Sequence, residues 1–94
     1  MKRIKLAAAA LNQTPLDWDR NAANIRAAIA AARAQQVHVL CLPELCICGY
    51  GCEDAFYSNG LPEMCLEVLH ELLPETRGMI VPFGLPLRHR GGLF

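Results

Sequence analysis

The chain has 94 residues, enough for one small domain, and 53% of them are apolar. Nine basic and nine acidic side chains give a formal net charge of zero. This balance excludes intrinsic disorder, which requires low hydrophobicity and high net charge, and it argues against a nucleic-acid module, which needs a basic excess. No uncharged apolar run reaches the roughly 18 residues of a membrane span.

The cysteines predict a reducing compartment. Their number is odd, and the chain is otherwise rich in alanine and leucine, which disfavours a secreted disulfide scaffold. We therefore expect a cytoplasmic protein with reduced, structural thiols. Cys46, Cys48 and Cys52 form a C-x-C-x3-C pattern, which fits zinc-ligand spacing poorly, so no metal is expected. No residue pattern near any of the five cysteines marks it as a nucleophile.

The first half of the chain predicts a strand–helix–strand unit. Residues 4–11 form a short apolar run that ends at turn-forming residues, which predicts a buried strand. Residues 17–36 carry apolar side chains every three or four positions, and the carboxylate of Asp17 can cap the start of this helix. Residues 37–42 form a nearly continuous apolar run rich in β-branched residues, which predicts a strand buried on both faces and parallel to the first.

The second half predicts a loop, a helix and a strand. Residues 45–60 form a long loop with a possible helical turn at residues 53–56. Residues 61–73 form a second helix with three glutamates on its outer face and an apolar inner face: Cys65, Val68, Leu69 and Leu72. Residues 79–87 predict a third strand, and residues 88–92 a hairpin turn.

These elements predict an α/β fold with one open sheet that is covered by helices on one face only. The other face of the sheet would lie bare. Such an arrangement buries too little apolar surface to offset the entropy of ordering the chain. We therefore expect the N-terminal portion of a longer protein, or an early-terminated gene model.

Glu44 lies just beyond the predicted carboxyl end of the second strand, the edge at which α/β sheets bind ligands. A partly desolvated carboxylate there would suit a general base. The same position also suits a residue that only caps a loop or a helix N-terminus, and position alone leaves both interpretations open. Tyr50, Phe56 and Tyr57 are in the same way either packing residues or walls of a pocket.

Several motifs resemble the start of the nitrilase superfamily. They are AAALNQ at residues 8–13 and LPELCICGY at residues 42–50, with an alanine-rich helix between them. GYGCEDAF at residues 49–56 and TPLDW at residues 14–18 narrow the resemblance to the glutamine amidotransferase domain of the glutamine-dependent NAD synthetase family. The resemblance covers essentially the whole chain.

The resemblance implies an αββα sandwich and a catalytic Glu, Lys and Cys. In that chemistry the Cys attacks the amide carbonyl of glutamine and forms a thioester, the Glu is the general base, and the Lys stabilises the oxyanion. Ammonia then passes to a C-terminal ATP-dependent domain, which amidates nicotinic acid adenine dinucleotide to NAD. Glu44 matches the catalytic Glu, and Tyr50 lies where the family's loop approaches the glutamine pocket.

The chain departs from the family pattern in its lysines and cysteines. Lys2 and Lys5 are on the wrong side of the first strand, and no cysteine occupies the nucleophile's place in the motif order. We therefore expect residues 1–94 to be the N-terminal part of a carbon–nitrogen hydrolase (glutaminase) domain, inactive by itself, with the remainder of that domain and the synthetase domain absent. No cofactor is expected in these residues, whereas ATP and Mg are expected for the synthetase domain, and the full protein is expected to be a homo-oligomer.

Two alternatives stay open. One is another nitrilase-type amidohydrolase without a synthetase domain. The other is a non-catalytic remnant that docks its bare sheet face onto a partner or a second copy.

Overall fold

The computed structural model describes residues 3–49 and 60–85, and the backbone of residues 88–89 and 92–93. In these residues β1 is Leu6–Ala8, α1 is Trp18–Ala34, β2 is Val39–Cys41 and α2 is Gly60–Leu72. A 3-10 helix, Leu73–Thr76, continues directly from α2, and β3 (Arg88–His89) and β4 (Gly92–Leu93) follow. Among the described residues, neither α1 nor α2 meets the length and hydropathy that a membrane-spanning helix needs.

The predicted strand–helix–strand unit is confirmed. β1 and β2 pair in parallel with Leu6 opposite Val39, and α1 makes the crossover between them. Both strands have three residues and are shorter than the sequence predicted. α1 begins as predicted, since the Asp17 carboxylate accepts the Arg20 backbone N–H at 3.3 Å.

The described helices cover the sheet on one face only, which confirms the prediction made for the whole sheet. Leu40 of β2 is 2% exposed and packs in the core, but its neighbour Cys41 is exposed. The prediction that this strand is buried on both faces is therefore wrong, because the described helices cover only the face of Leu40. On the bare face Leu6 and Ile80 remain 69% and 66% exposed.

The third predicted strand is reduced to one bridge. Ile80 pairs in parallel with Val39, donating its N–H to His38 O at 2.9 Å and accepting from Leu40 N at 3.0 Å. The next residue whose N–H would continue this parallel ladder is Pro82, which has none. The prediction of a strand over residues 79–87 is therefore wrong within the described part of that range.

The hairpin predicted at residues 88–92 is confirmed, because β3 and β4 pair in antiparallel fashion, but Arg88, His89 and Gly92 belong to its strands and not to its turn. The predicted helix over residues 61–73 is also confirmed, with its boundaries at Gly60 and Leu72. The core lies between the two helices and the sheet, and it includes these fully buried side chains: Ile25, Ile29, Cys46, Ile47, Cys48, Cys65 and Leu72.

Candidate active site at the end of β2

The loop of residues 42–49 directly follows β2 and carries Glu44 at its exposed end. Leu45 has a left-handed backbone (φ 50°), and its carbonyl accepts the Gly49 N–H at 2.8 Å, which closes one helical turn. A left-handed leucine is uncommon and strained, and such residues concentrate near functional sites. The turn directs the three residues after Leu45 into the core, so the loop is anchored on one side of Glu44.

Glu44 lies at the sheet edge that the sequence predicted. It is exposed, however, so the predicted partial desolvation is not found. The segment around Gly84 passes close to the loop, because a Cβ built on Gly84 would lie 3.0 Å from Leu45 N and 3.6 Å from Glu44 Cα. In the part of the chain that the structure describes, this segment and the loop itself border Glu44 and leave it open to solvent.

Side-chain amides hold the loop in place. Gln13 donates to Cys46 O at 2.6 Å, and Asn21 donates to Ile47 O at 3.1 Å. Asn24 in turn donates to the Gln13 side-chain oxygen at 2.7 Å. We call these three residues, Gln13, Asn21 and Asn24, the amide clamp. It joins the loop that carries Glu44 to the first turns of α1.

The sequence analysis did not identify the amide clamp. A signal for one member was present, since Asn21 follows Trp18 by three residues and therefore falls on the apolar stripe of α1. A polar side chain on a buried stripe needs partners for its hydrogen-bonding groups. Those partners are in loops that only the tertiary structure brings together.

The thiols of Cys46 and Cys48, which follow Glu44 in the loop, are both buried. Burial raises the pKa of the Cys46 thiol above its ordinary value, although a backbone hydrogen bond from Gly84 partly opposes the effect. A thiol with a raised pKa stays protonated at neutral pH and is a poor nucleophile. Cys48 is also buried, and its thiol contacts Gly49 O at 3.5 Å.

Several residues singled out in the sequence lie outside the described residues. They include the predicted substrate-binding residue Tyr50, the helical turn at residues 53–56, and Cys52, Phe56 and Tyr57. Within the described ranges no group of three or more His, Cys, Asp or Glu side chains could hold a metal ion.

Three depressions on the described surface lie away from Glu44. One of about 530 Å³ is at the opposite end of the sheet, bordered by Lys5 and His38. Two others, of about 470 and 260 Å³, lie along α1 and the alanines of residues 7–10. None of these three depressions is lined by Glu44, so none of them is the candidate active site.

Comparison with known proteins defines the class of the chain. The carbon-nitrogen hydrolase family model matches residues 5–93, a range that includes Glu44 and the whole described loop. The chain therefore belongs to the carbon–nitrogen hydrolase family. An amidase from Nesterenkonia sp. has a similar structure, with a TM-score of 0.78 and 26% identity over 88% of this chain and 32% of the amidase.

Within that family the chain matches the N-terminal region of glutamine-dependent NAD(+) synthetases. The Bos taurus enzyme is 37% identical over 91 residues, and the Dictyostelium discoideum enzyme is 37% identical over 93 residues. The crystal structure of the Cytophaga hutchinsonii enzyme superposes with a TM-score of 0.94 at 44% identity, over 97% of this chain and 16% of that one. The chain spans 13% of the length of the Bos taurus and Dictyostelium relatives, and 95% and 96% of it is aligned with them.

Proposed function

We propose that residues 1–94 are the N-terminal part of the glutaminase domain of a glutamine-dependent NAD synthetase. The observation that carries this proposal is the similarity to the Cytophaga hutchinsonii enzyme, at 44% identity and a TM-score of 0.94. The amidase, which shares the fold, is only 26% identical. The full protein would use glutamine, nicotinic acid adenine dinucleotide and ATP with Mg. We also propose that the full protein is cytoplasmic and forms a homo-oligomer.

Glu44 is the proposed general base. As the nucleophilic thiol attacks the side-chain carbonyl carbon of glutamine, Glu44 accepts the thiol proton. Glu44 then passes that proton to the amide nitrogen, and the C–N bond breaks. Ammonia leaves, and the glutamine side-chain carbonyl remains bound to the sulfur as a thioester. Water hydrolyses the thioester while Glu44 passes a proton from water back to the thiol, and glutamate is released. We assign neither the nucleophilic cysteine nor the oxyanion-stabilising lysine to a residue of this chain.

The geometry supports this role for Glu44 in two respects. The residue follows a parallel strand, at the edge where α/β sheets bind their ligands. The backbone after it is held by the amide clamp and by the buried side chains of residues 46–48. A base in a loop with a fixed backbone can be held in productive geometry, and such positioning contributes strongly to catalysis.

A segment exchange tests the proposal directly. The exchange produces a chimera, in which the present chain replaces the corresponding N-terminal segment of the Cytophaga hutchinsonii enzyme. The release of glutamate from glutamine by the chimera is measured. The chimera should be active, and Glu44→Gln should lower its kcat at least about 100-fold, since a general base contributes roughly 10²- to 10⁴-fold. The 94-residue chain by itself should release no glutamate.

A matched control is Glu67→Gln, which removes the same charge from an exposed position on α2. This variant should keep the activity of the parent chimera. The proposal is wrong if Glu44→Gln is as active as Glu67→Gln, or if the isolated chain shows turnover that disappears on Glu44→Ala.

The similarity to an amidase favours a second candidate, a nitrilase-type amidohydrolase without a synthetase domain. The genomic sequence downstream of Phe94 distinguishes the two candidates. An in-frame ATP-pyrophosphatase loop would support the synthetase. A stop codon soon after the nucleophilic cysteine would support the amidohydrolase instead.

A further inference from the structure

Three consecutive carbonyls in the loop after Glu44 each accept a hydrogen bond from the segment of residues 13–21. Cys46 O accepts from the Gln13 side chain at 2.6 Å, and Ile47 O accepts from the Asn21 side chain at 3.1 Å. Cys48 O accepts from the Leu16 backbone N–H at 2.8 Å. Two of the three donors are therefore side chains, which a substitution can remove without changing the backbone.

Asn21 uses both ends of its amide. Its Oδ1 accepts the Thr14 N–H at 2.9 Å, while its Nδ2 donates to Thr14 O at 2.8 Å and to Ile47 O at 3.1 Å. The residue is 0% exposed, so water cannot replace these partners. Only an uncharged amide supplies an acceptor and two donors in this arrangement. Asp lacks the donors, and an apolar side chain lacks both kinds of group.

Gln13 forms the second arm of the amide clamp. Its Nε2 donates to Asn21 O at 3.1 Å as well as to Cys46 O, and its Oε1 accepts from Asn24 at 2.7 Å. Asn24 thus orients the Gln13 amide, which bridges the backbone carbonyls of Asn21 and Cys46. The side chains of Gln13 and Asn21 therefore hold two successive carbonyls of the loop through separate hydrogen bonds.

We infer that Asn21 and Gln13 are positioning residues for the reaction of Glu44. The inference rests on the proposed function, since it assumes that Glu44 is the base. Neither residue is placed at the reacting atoms. They act by holding the carbonyls of residues 46 and 47, and with them the backbone that carries Glu44, in one position. A displacement of a catalytic group by about 1 Å can cost roughly 100-fold in rate.

The test uses kcat and KM for glutamine in the chimera. Asn21→Asp keeps the acceptor but faces Thr14 O and Ile47 O with a carboxylate. Gln13→Met keeps the side-chain length but removes both of the Gln13 donor bonds. Each variant should lower kcat per folded molecule roughly 10- to 100-fold while KM changes less than about twofold. The folded fraction is measured by size exclusion and circular dichroism.

Asn12→Ala is the matched control, because it removes an exposed amide next to Gln13 in the sequence. The hydrogen bond from Asn24 to the backbone carbonyl of Asn12 can persist in this variant. It should leave kcat unchanged. If the two residues were merely structural, their substitution would lower the yield of folded protein but not kcat per folded molecule, and that result would overturn the inference. If Asn21→Asp does not fold, Gln13→Met decides.

The two proposals fail in different ways. A chimera that stays active after Glu44→Gln contradicts the proposed function. A chimera that loses activity after Glu44→Gln, but keeps its full kcat after Gln13→Met and Asn21→Asp, contradicts only the positioning role.

Discussion

At the scale of single residues, Gly49 decides how closely two loops approach each other. Its φ of 85° lies in the left-handed region, which side chains with a Cβ rarely adopt. A Cβ at this position would also lie 2.7 Å from Thr14 O and 2.9 Å from Pro15 N. The same Thr14 carbonyl accepts a hydrogen bond from Asn21, so it cannot move without disturbing the amide clamp.

We predict that Gly49→Ala destabilises the chimera by more than the backbone strain alone, which costs about 1–3 kcal/mol. The measurement is the temperature at which the chimera loses glutaminase activity. Gly78→Ala is the control, because Gly78 has a similar φ of 77° but no atom within 4 Å of an added Cβ. Equal losses in the two variants would show that the contact with Thr14 is unimportant.

At the scale of elements, α1 connects the parts of the molecule. Its buried stripe packs on the sheet, its first turns carry two members of the amide clamp, and its last turn contacts the 3-10 helix. The Arg33 guanidinium makes this last contact by donating to Arg77 O at 2.7 Å and to Glu75 O at 2.5 Å. A guanidinium can donate to two carbonyls at once because its N–H groups form a rigid fork.

We predict that Arg33→Lys loosens the segment of residues 73–79 nearly as much as Arg33→Ala does, because a lysine ammonium does not reproduce the fork. Hydrogen–deuterium exchange of a peptide covering that segment in the chimera should be faster in both variants. Arg20→Lys is the control, since the Arg20 guanidinium makes an exposed ion pair with Asp17 at 3.6 Å, which a lysine can also form. A lysine variant that exchanges as slowly as the parent would show that charge alone suffices.

At the scale of the whole molecule, the bare sheet face leaves large apolar side chains of the described residues exposed to solvent. Leu6 and Ile80 are each about two-thirds exposed, and Val39 lies between them in the same row across the strands. Burying one such side chain is worth about 1.5–3 kcal/mol. The sandwich architecture implied by the resemblance places a second sheet against this face.

We predict opposite effects of Leu6→Thr combined with Ile80→Thr in two contexts. In the isolated 94-residue chain the pair should reduce self-association, measured by light scattering, because it removes exposed apolar area, while the β-branched threonines still suit a strand. In the chimera it should lower thermal stability, because a covered face loses buried area. Leu73→Thr, on the exposed side of the 3-10 helix, should have neither effect. No change in either context would contradict a covered face.

The short-range features were predictable because neighbouring residues determine them. The capping role of Asp17, the apolar stripe of α1 and the parallel pairing of β1 with β2 follow from local spacing and from chain connectivity. The place of Glu44 after β2 was predictable for the same reason. That local pattern also carried the resemblance to the family, which the match over residues 5–93 confirms.

Long-range contacts decided the rest. The exposure of Glu44 and of Cys41 depends on which surfaces other elements cover, and the hydrophobicity of a run does not reveal this. The early end of the third strand depends on the register that puts Pro82 where a donor is needed. The amide clamp joins residues that are up to 33 positions apart, and a hydrogen bond requires its donor and acceptor within about 3 Å in space. Only the folded chain sets that distance.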